Sequence, residues 1–561
     1  MTLLSRSQTA RIRHRKSKSS GAAPRRRRLL LEALEDRRLL ACDAVPSASL
    51  SGFSDSFIGE PTRFTATFDN TGTDPGFGPY IDLIIPATGT DGDDGVNYFV
   101  ASHLNVQLTP SILTFDALGQ AIHPYAVDSS DNPIVVTHPL GASGAGDQLV
   151  VLQLPFGSFT DTQTPAEVNI TADLSDLADL GTALTIYASG GFQYGCDALD
   201  NPATDPSILG SQTSGTINPR VFEADKVYNG PEGDETATGP NYVQSYDLVV
   251  NIADGQPISN LVIQDLLPPN HVYVGVPSVA INGNLAVLGT DYTLTDVPPT
   301  VSASPWTAPS SLNDLQISFA GTITGTASAT DVVVAVQFYI AESSEGTPPP
   351  VVIDPSTGDE VLEDNTVNAQ GYWVPLDPRD PAATVSDSAT YEDLEERSIA
   401  IQKSVSVYED NGELGVSPGD ILEWTLDFQI SDFFAFDNLF LTDVLSDGLE
   451  FFEDDDSANG PFVAAPSATI TEAGVSTGSL AFALSATPAS PTVPFFSGAV
   501  NYYVYPPSAT DGTTEMQFDL SKLLRDQTPP VDDQLVGGLF LDRDDNLGPT
   551  TGTITFYTRV L

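Results

Sequence analysis

A strand couplet that recurs at a fixed step constrains this chain more than any other feature. Tyr246-Asp247-Leu248-Val249-Val250 leads to Asn260-Leu261-Val262-Ile263-Gln264-Asp265, and Trp424-Thr425-Leu426-Asp427-Phe428 leads to Asn438-Leu439-Phe440-Leu441-Thr442-Asp443. Tyr246 to Asp265 and Trp424 to Asp443 are the same 19-residue step. A lysine precedes each couplet, Lys226 in one and Lys403 in the other. A fainter copy is Phe64-Thr65-Ala66-Thr67-Phe68 followed by Tyr80-Ile81-Asp82-Leu83-Ile84-Ile85-Pro86. Each run alternates apolar and polar residues, and turn formers such as Asp69-Asn70-Thr71-Gly72 and Pro418-Gly419-Asp420 bound it. Period-2 runs bounded this way read as half-buried antiparallel strands. An internal repeat of this kind implies tandem copies of one unit.

The expected organisation is a leader over 1–44 and three β-sandwich repeats over 45–220, 221–398 and 399–561, the last incomplete. Pro219-Arg220 and the stretch Asp377 to Glu396 serve as joints. Later echoes are Val150-Val151-Leu152-Gln153-Leu154 with Val334-Ala335-Val336-Gln337-Phe338, and Leu315-Gln316-Ile317 with Met516-Gln517-Phe518. Short helices are expected at Asp173 to Leu184 and Asp519 to Asp526. In the third unit, Gly552 to Phe556 reads as the penultimate strand. No counterpart follows it for Leu184 to Phe192 or Asn365 to Trp373, so an apolar face and a strand edge are left open. Either the chain continues past Leu561 or the strand comes from another molecule.

Charge separates leader from cargo. Residues 1–41 hold 12 of the 22 basic and 3 of the 75 acidic residues, which leaves 10 basic and 72 acidic residues after them. So acidic a surface repels nucleic acid and anionic lipid. With 40% hydrophobic residues, including 27 Phe and 18 Tyr, it still encodes packed cores rather than disorder. The leader lacks the uninterrupted apolar core of a signal peptide, and no window is long and apolar enough for a transmembrane helix. Its segment Leu31-Glu32-Ala33-Leu34-Glu35-Asp36-Arg37-Arg38-Leu39-Leu40-Ala41 resembles the N-terminal LExLExRxLL-type motif of planctomycete extracellular proteins. That resemblance implies a secreted or cell-surface protein. The repeats resemble immunoglobulin-like modules of bacterial surface proteins, related to pilins and collagen adhesins, which agrees with the all-β, tandem immunoglobulin-like sandwich that strand patterning favours.

Reactive constellations are scarce. The five histidines have no metal-ligand spacing, and no nucleophile elbow, phosphate loop or zinc-protease motif occurs. The two cysteines, Cys42 and Cys196, bracket the first repeat and are expected to pair on export. Oxygen-rich loops suit calcium: Asp91, Asp93 and Asp94; Glu453 to Asp456; and Asp542, Asp544, Asp545 and Asn546. The adhesin resemblance implies an isopeptide bond in the second repeat between Lys226 and Asn368, with Asp265 as the proton-shuttling acid. The first repeat offers no lysine, and Tyr187 takes the asparagine's place.

The functional expectation is a non-catalytic structural or adhesion protein of the cell surface. Its partners would be cell-envelope or matrix components or glycans, with self-association through the open unit. Two alternatives stand beside it. One is a calcium-dependent glycan- or cell-binding module, with Phe433, Phe434 and Phe436 as candidate contacts. The other is the stalk of a longer protein with a catalytic domain beyond Leu561.

Overall fold

The computed structural model describes residues 42–197, 205–230, 236–268, 270–295, 307–308, 314–344, 362–412, 415–446, 448–451, 466–472, 474–482, 502–504, 514–527, 534–540 and 545–561. The leader motif at 31–41, the acidic run 453–456, and Asp542 and Asp544 lie outside these residues.

The first unit contains β1 (Pro46–Ser51), β2 (Pro61–Asn70), β3 (Pro79–Ile85), β4 (Val96–His103), β5 (Pro110–Thr114), β6 (Gln120–Val127), β7 (Pro133–Thr137), β8 (Gln148–Gln153), β9 (Ala166–Leu174), β10 (Leu184–Phe192) and β11 (Thr213–Ile217). One sheet runs β1-β2-β9-β4; the other runs β5-β8-β3-β10, with β11 alongside β10. The second unit contains β12 (Phe222–Tyr228), β13 (Gln244–Ile252), β14 (Pro257–Leu266), β15 (His271–Ile281), β16 (Tyr292–Thr295), β17 (Asp314–Phe319), β18 (Val332–Ile340), β19 (Leu362–Trp373) and β20 (Ala383–Glu395). Its sheets run β12-β13-β18-β15 and β16-β17-β14-β19-β20. The third unit contains β21 (Ile399–Glu409), β22 (Ile421–Ile430), β23 (Phe440–Leu445), β24 (Ser467–Glu472), β25 (Val475–Ala481), β26 (Tyr502–Val504), β27 (Thr514–Asp519), α1 (Leu520–Arg525) and β28 (Thr550–Val560). Its sheets run β21-β22-β28-β24-β25 and β23-β27-β26. Each unit is thus an antiparallel two-sheet, immunoglobulin-like sandwich, and the protein is all-β.

Alternation builds the cores. In β13 every second residue is buried, so Gln244, Tyr246, Leu248, Val250 and Ile252 point inward. A strand's side-chain period of two puts those five on one face. Fully burying a residue such as Leu248 contributes about 1.5–3 kcal/mol. One continuous core cluster runs from the first unit into the second, from Ala44 to Leu394, and the third unit has its own around Phe428, Phe518 and Phe556. Among the described residues no helix is long and apolar enough to cross a membrane.

Three details depart from the sequence expectations. Asp173 to Leu184 contains no helix, because β9 runs on to Leu174 and turns follow. The helix at Asp519 to Asp526 is present; the Asp519 carboxylate caps it by accepting from Lys522 N at 2.8 Å. The stretch Asp377 to Glu396 is not a linker. Residues 383–395 form β20, paired along its length with β19. It is an outer strand with few buried residues, so it lacks the apolar row that marks a core strand in sequence. Finally, the echo of Val150–Leu154 in Val334–Phe338 does not join equivalent strands. β8 pairs with β3 as β17 pairs with β14, while β9 is the counterpart of β18.

Candidate functional site

The most unusual chemistry lies in the core of the second unit. On β12, Phe222, Ala224 and Lys226 share the buried row, which brings a lysine into an apolar interior. Lys226 sits opposite Leu248 on β13, and its Nζ lies 4.6 Å from the centre of the Tyr246 ring. It makes an ion pair with Asp265 Oδ1 on β14, and both side chains are wholly buried. The second carboxylate oxygen of Asp265 has no hydrogen-bond partner. Burial is the largest influence on both groups: it pushes the lysine down and the aspartic acid up, against the attraction between them, and both directions favour a neutral amine beside a protonated carboxyl. A neutral amine beside a protonated acid is a nucleophile paired with its own proton donor.

A polar row extends from this pair. His271 is fully buried against Phe338, and burial, with the Lys226 charge second, pushes it down to about 3. Its Nδ1 lies 2.9 Å from Asn270 Oδ1, and Asn270 Nδ2 donates to Glu396 Oε1. Glu396 Oε2 has no hydrogen-bond partner, and burial pushes this glutamic acid up to about 8.

Asn368 does not share the inward face. It pairs with Gln264, one residue before Asp265, and lines a surface groove with Gln264, Gln316 and Ser386. Asp265 is opposite Val367, so the inward row of β19 is Asn365, Val367 and Ala369. Asn365 is 0% exposed, and neither atom of its amide has a hydrogen-bond partner. Its cross-strand neighbour Tyr391 packs 5.6 Å from the Tyr246 ring that underlies Lys226. The buried amide on the inward row is therefore that of Asn365, two residues from Val367, which lies opposite Asp265. Parity alone carried the signal: Val367 and Ala369 are the apolar positions, and Asn365 is in phase with them while Asn368 is not.

The other units show the same three positions in different states. In the first, Leu50 lies opposite Ala66 as Lys226 lies opposite Leu248. The constant offset of the couplet puts Leu83 at the place of Asp265. Leu83 faces Ala188, which puts Ile186, two residues earlier, at the place of Asn365. The first unit therefore fills the site with aliphatic side chains, and Tyr187 points to the other face. In the third, Lys403 pairs with Asp443 at 2.6 Å and lies 4.3 Å over the Trp424 ring. No described strand stands where β19 stands.

Cys42 and Cys196 are joined, with Cα atoms 5.8 Å apart and a separation of 154 in sequence. The bond ties the start of the first sandwich to the turn after β10. Constraining a loop of that length removes unfolded-state entropy worth about 5 kcal/mol as an upper value. Cys196→Ser is expected to lower the melting temperature of the first domain by roughly 10 °C, read by calorimetry. Equal melting of the variant and the parent would contradict this.

The acidic loop Asp91 to Gly95 is already engaged. Asp94 accepts from the N–H of Asp91 at 3.2 Å and of Gly92 at 3.1 Å. Arg379, from the second unit, pairs with the Asp91 carboxylate at 3.1 Å and donates to the carbonyls of Asp91 and Gly92. Asp93 adopts a left-handed backbone with φ 63°. Asp545 is exposed, and Asn546 bonds Asn241 of the second unit at 2.7 Å. Among the described residues no three His, Cys, Asp or Glu side chains are grouped to hold a metal ion. Phe433 is buried rather than displayed, and Phe434 stacks on Phe436. The histidines of the first unit are also structural: His123 bonds Asp82 at 3.0 Å and His138 bonds Asp147 at 3.2 Å, clamping β6 and the loop after β7 to the sheet.

No protein-family model matches this chain, and no curated protein does. Among solved structures, it is similar to the C-terminal domain of the antigen I/II polypeptide BspA of Streptococcus agalactiae, at 7% identity, 62% of this chain, 100% of that chain and a TM-score of 0.20. The full-length major pilin SpaD of Corynebacterium diphtheriae matches at 11% identity, 68% and 72% coverage and a TM-score of 0.20. AvmM, described as catalysing macrocyclization in alchivemycin A biosynthesis, matches at 11% identity, 34% and 92% coverage and a TM-score of 0.20. Likenesses at these scores do not assign a function.

Proposed function

We propose that this chain is a structural or adhesive element of a cell surface or secreted matrix, working by contact and mechanical continuity rather than by turnover. Its second domain would be locked by an amide between Lys226 and Asn365. The observation that carries the reading is the buried Lys226–Asp265 pair, together with a buried asparagine on the inward row of the strand paired with β14 whose amide has no hydrogen-bond partner. Isolated buried charge costs stability and is retained where it does something. In the proposed step the neutral Nζ attacks Cγ of Asn365 while protonated Asp265 hydrogen-bonds the amide oxygen. Asp265 then relays the proton lost from the amine to the departing NH2. One C–N bond forms, one breaks, and ammonia leaves; no oxidant is needed. The bond would join β12, at the domain's entry, to β19 near its exit, across the two sheets.

Close packing between neighbours supports continuity. Gln256 Nε2 donates to Asp176 O at 2.9 Å between the first and second units. Tyr242 hydroxyl donates to Thr550 O at 2.8 Å, and Thr238 and Ser431 hydroxyls meet at 2.7 Å between the second and third. An internal disulfide suits an oxidising, exported setting. The test is mass spectrometry of the purified chain. A mass short by one ammonia, with a proteolytic fragment joining Lys226 to Asn365, is expected; a full mass with both residues in separate fragments refutes the bond.

A further inference from the structure

We infer that the outer face of the second domain's five-stranded sheet binds an uncharged polysaccharide, held by a ladder of amide and hydroxyl side chains that crosses β16-β17-β14-β19-β20. The inference rests on the adhesive reading, which it deepens by naming what the domain touches, and is independent of the Lys226 amide.

Register builds the ladder. Gln316 lies opposite Thr295 on one side and Gln264 on the other, Gln264 opposite Asn368, and Asn368 opposite Ser388. At about 4.8 Å between neighbouring strands, these five positions span about 19 Å. The next row is Thr293, Ser318, Val262, Gln370 and Ser386. Two residues on from Gln370, Tyr372 is 42% exposed on the same face. Between the two rows lies a groove of about 390 Å³. Gln316 Nε2 donates to Thr295 Oγ1 at 3.0 Å, and Gln264 Nε2 donates to Asp314 Oδ2 at 3.3 Å. The side chains of Asn368, Gln370, Ser386 and Ser388 make no hydrogen bond among the described residues, and the last three are exposed. Each such amide can donate twice and accept, so the face offers open hydrogen-bonding valences of both kinds.

The first domain uses the same surface differently. Asp82, Val151 and Ser189 stand there in the places of Gln264, Gln316 and Asn368. Tyr80, Ile84, Leu149 and Val151 make that face apolar, and the β6–β7 hairpin seals it with Ala121 and Ala126.

Charge selects the ligand. In a chain of net charge −53, no Lys, Arg or Glu lines this groove among the described residues. Its one lining acid, Asp387, belongs to the opposite row of β20, and its Oδ2 accepts from the N–H of Ala224 at 2.9 Å. The surrounding field repels an anionic polymer. A protein face gains little here, because protein interfaces have apolar cores and the apolar lining residues are Val262 and Ala369 alone among those described. A sugar chain without charge suits the face: its hydroxyls donate and accept as the amides do, and its C–H faces can lie on the Tyr372 ring.

The test is affinity electrophoresis of the full chain through native gels that each hold one soluble polysaccharide: hydroxyethyl cellulose, laminarin, arabinoxylan, galactomannan, dextran, or anionic alginate. Retardation in at least one uncharged gel and none in alginate is expected. Gln264→Ala with Asn368→Ala should weaken that retardation about tenfold or more, since two hydrogen-bonding amides are lost. Tyr372→Ala should weaken it about threefold or more. If the double variant fails to fold, Gln370→Ala, an exposed side chain that bonds nothing, supplies the loss in its place. Free migration of the parent in every uncharged gel overturns the proposal, as does equal retardation of parent and folded variants. Slow migration that needs no polysaccharide and is abolished by Asn368→Ala overturns it in favour of a second copy on this face. The mass of the parent reports separately on the Lys226 amide, so a locked chain that no polysaccharide retards keeps the structural reading and loses this one.

Discussion

Asp265→Ala is expected to leave the chain at its full mass and to lower the melting temperature of the second domain by 10 °C or more. Two effects add. Without the acid, Lys226 loses the group that takes and returns its proton, so the amide to Asn365 does not form. That amide would close a loop of 365 − 226 = 139 residues, and a closure of this length is worth about 5 kcal/mol in unfolded-state entropy. The substitution also strands a buried lysine, and breaking a buried pair from one side costs about 3–5 kcal/mol. At roughly 2–4 °C per kcal/mol for a domain of this size, either effect alone is readily measured. A triple variant separates them: Lys226→Leu with Asp265→Leu and Asn365→Ile reproduces the aliphatic trio that the first domain carries as Leu50, Leu83 and Ile186. It removes the bond but buries no unpaired charge, so it should melt between the parent and Asp265→Ala. If the parent's mass is full, the pair is an ordinary buried ion pair, Asp265→Ala loses only the about 3–5 kcal/mol of the stranded lysine, and the amide reading is wrong.

That comparison also shows what could be read from the sequence. The couplet step from Tyr246 to Asp265 and from Trp424 to Asp443 located two equivalent strands in each of two domains, because both are central and alternate cleanly. The pairing of each couplet with its preceding lysine was equally legible, since lysine is rare in this chain. The asparagine was harder. Asn365 and Asn368 are three apart on one strand, and only the cross-strand register, with Val367 opposite Asp265, decides which faces the core. β20 is hidden in the sequence because an outer strand buries little and its Asp, Ser and Thr residues look like a linker. The acidic loop at 91–95 looked like a cation site because nothing local reveals that Arg379, 288 residues away from Asp91, supplies the positive charge. Composition and spacing report neighbours along the chain; sites made between domains need the fold.

Raising the pH from about 5 to about 8 is expected to destabilise the second domain through Glu396. This glutamic acid sits at the passage from β20 to the third unit, 0% exposed, with one oxygen held by Asn270 and the other without a hydrogen-bond partner. Desolvation dominates the Asn270 hydrogen bond, and the nearby Glu363 charge adds to it, so the acid is pushed from an ordinary value of 4.5 up to about 8. The folded state therefore holds a proton that the unfolded chain has already released. The contribution is whole below pH 4.5 and shrinks as pH rises towards 8, by up to about 1.4 kcal/mol for each pH unit. Asp432, pushed up to about 6 by burial at the contact with Asn241, adds a loss of the same sign over a narrower range. Glu396→Gln isolates the first term, because a neutral amide keeps the size and can still accept from Asn270. The variant should have a flatter profile of melting temperature against pH and should melt above the parent at pH 8. Parallel profiles for the two would mean that Glu396 is ionised in the folded protein, with solvent or a cation reaching its second oxygen. A joint that loosens as pH rises and tightens in mild acid would then give way to one whose stability is indifferent to pH over this range.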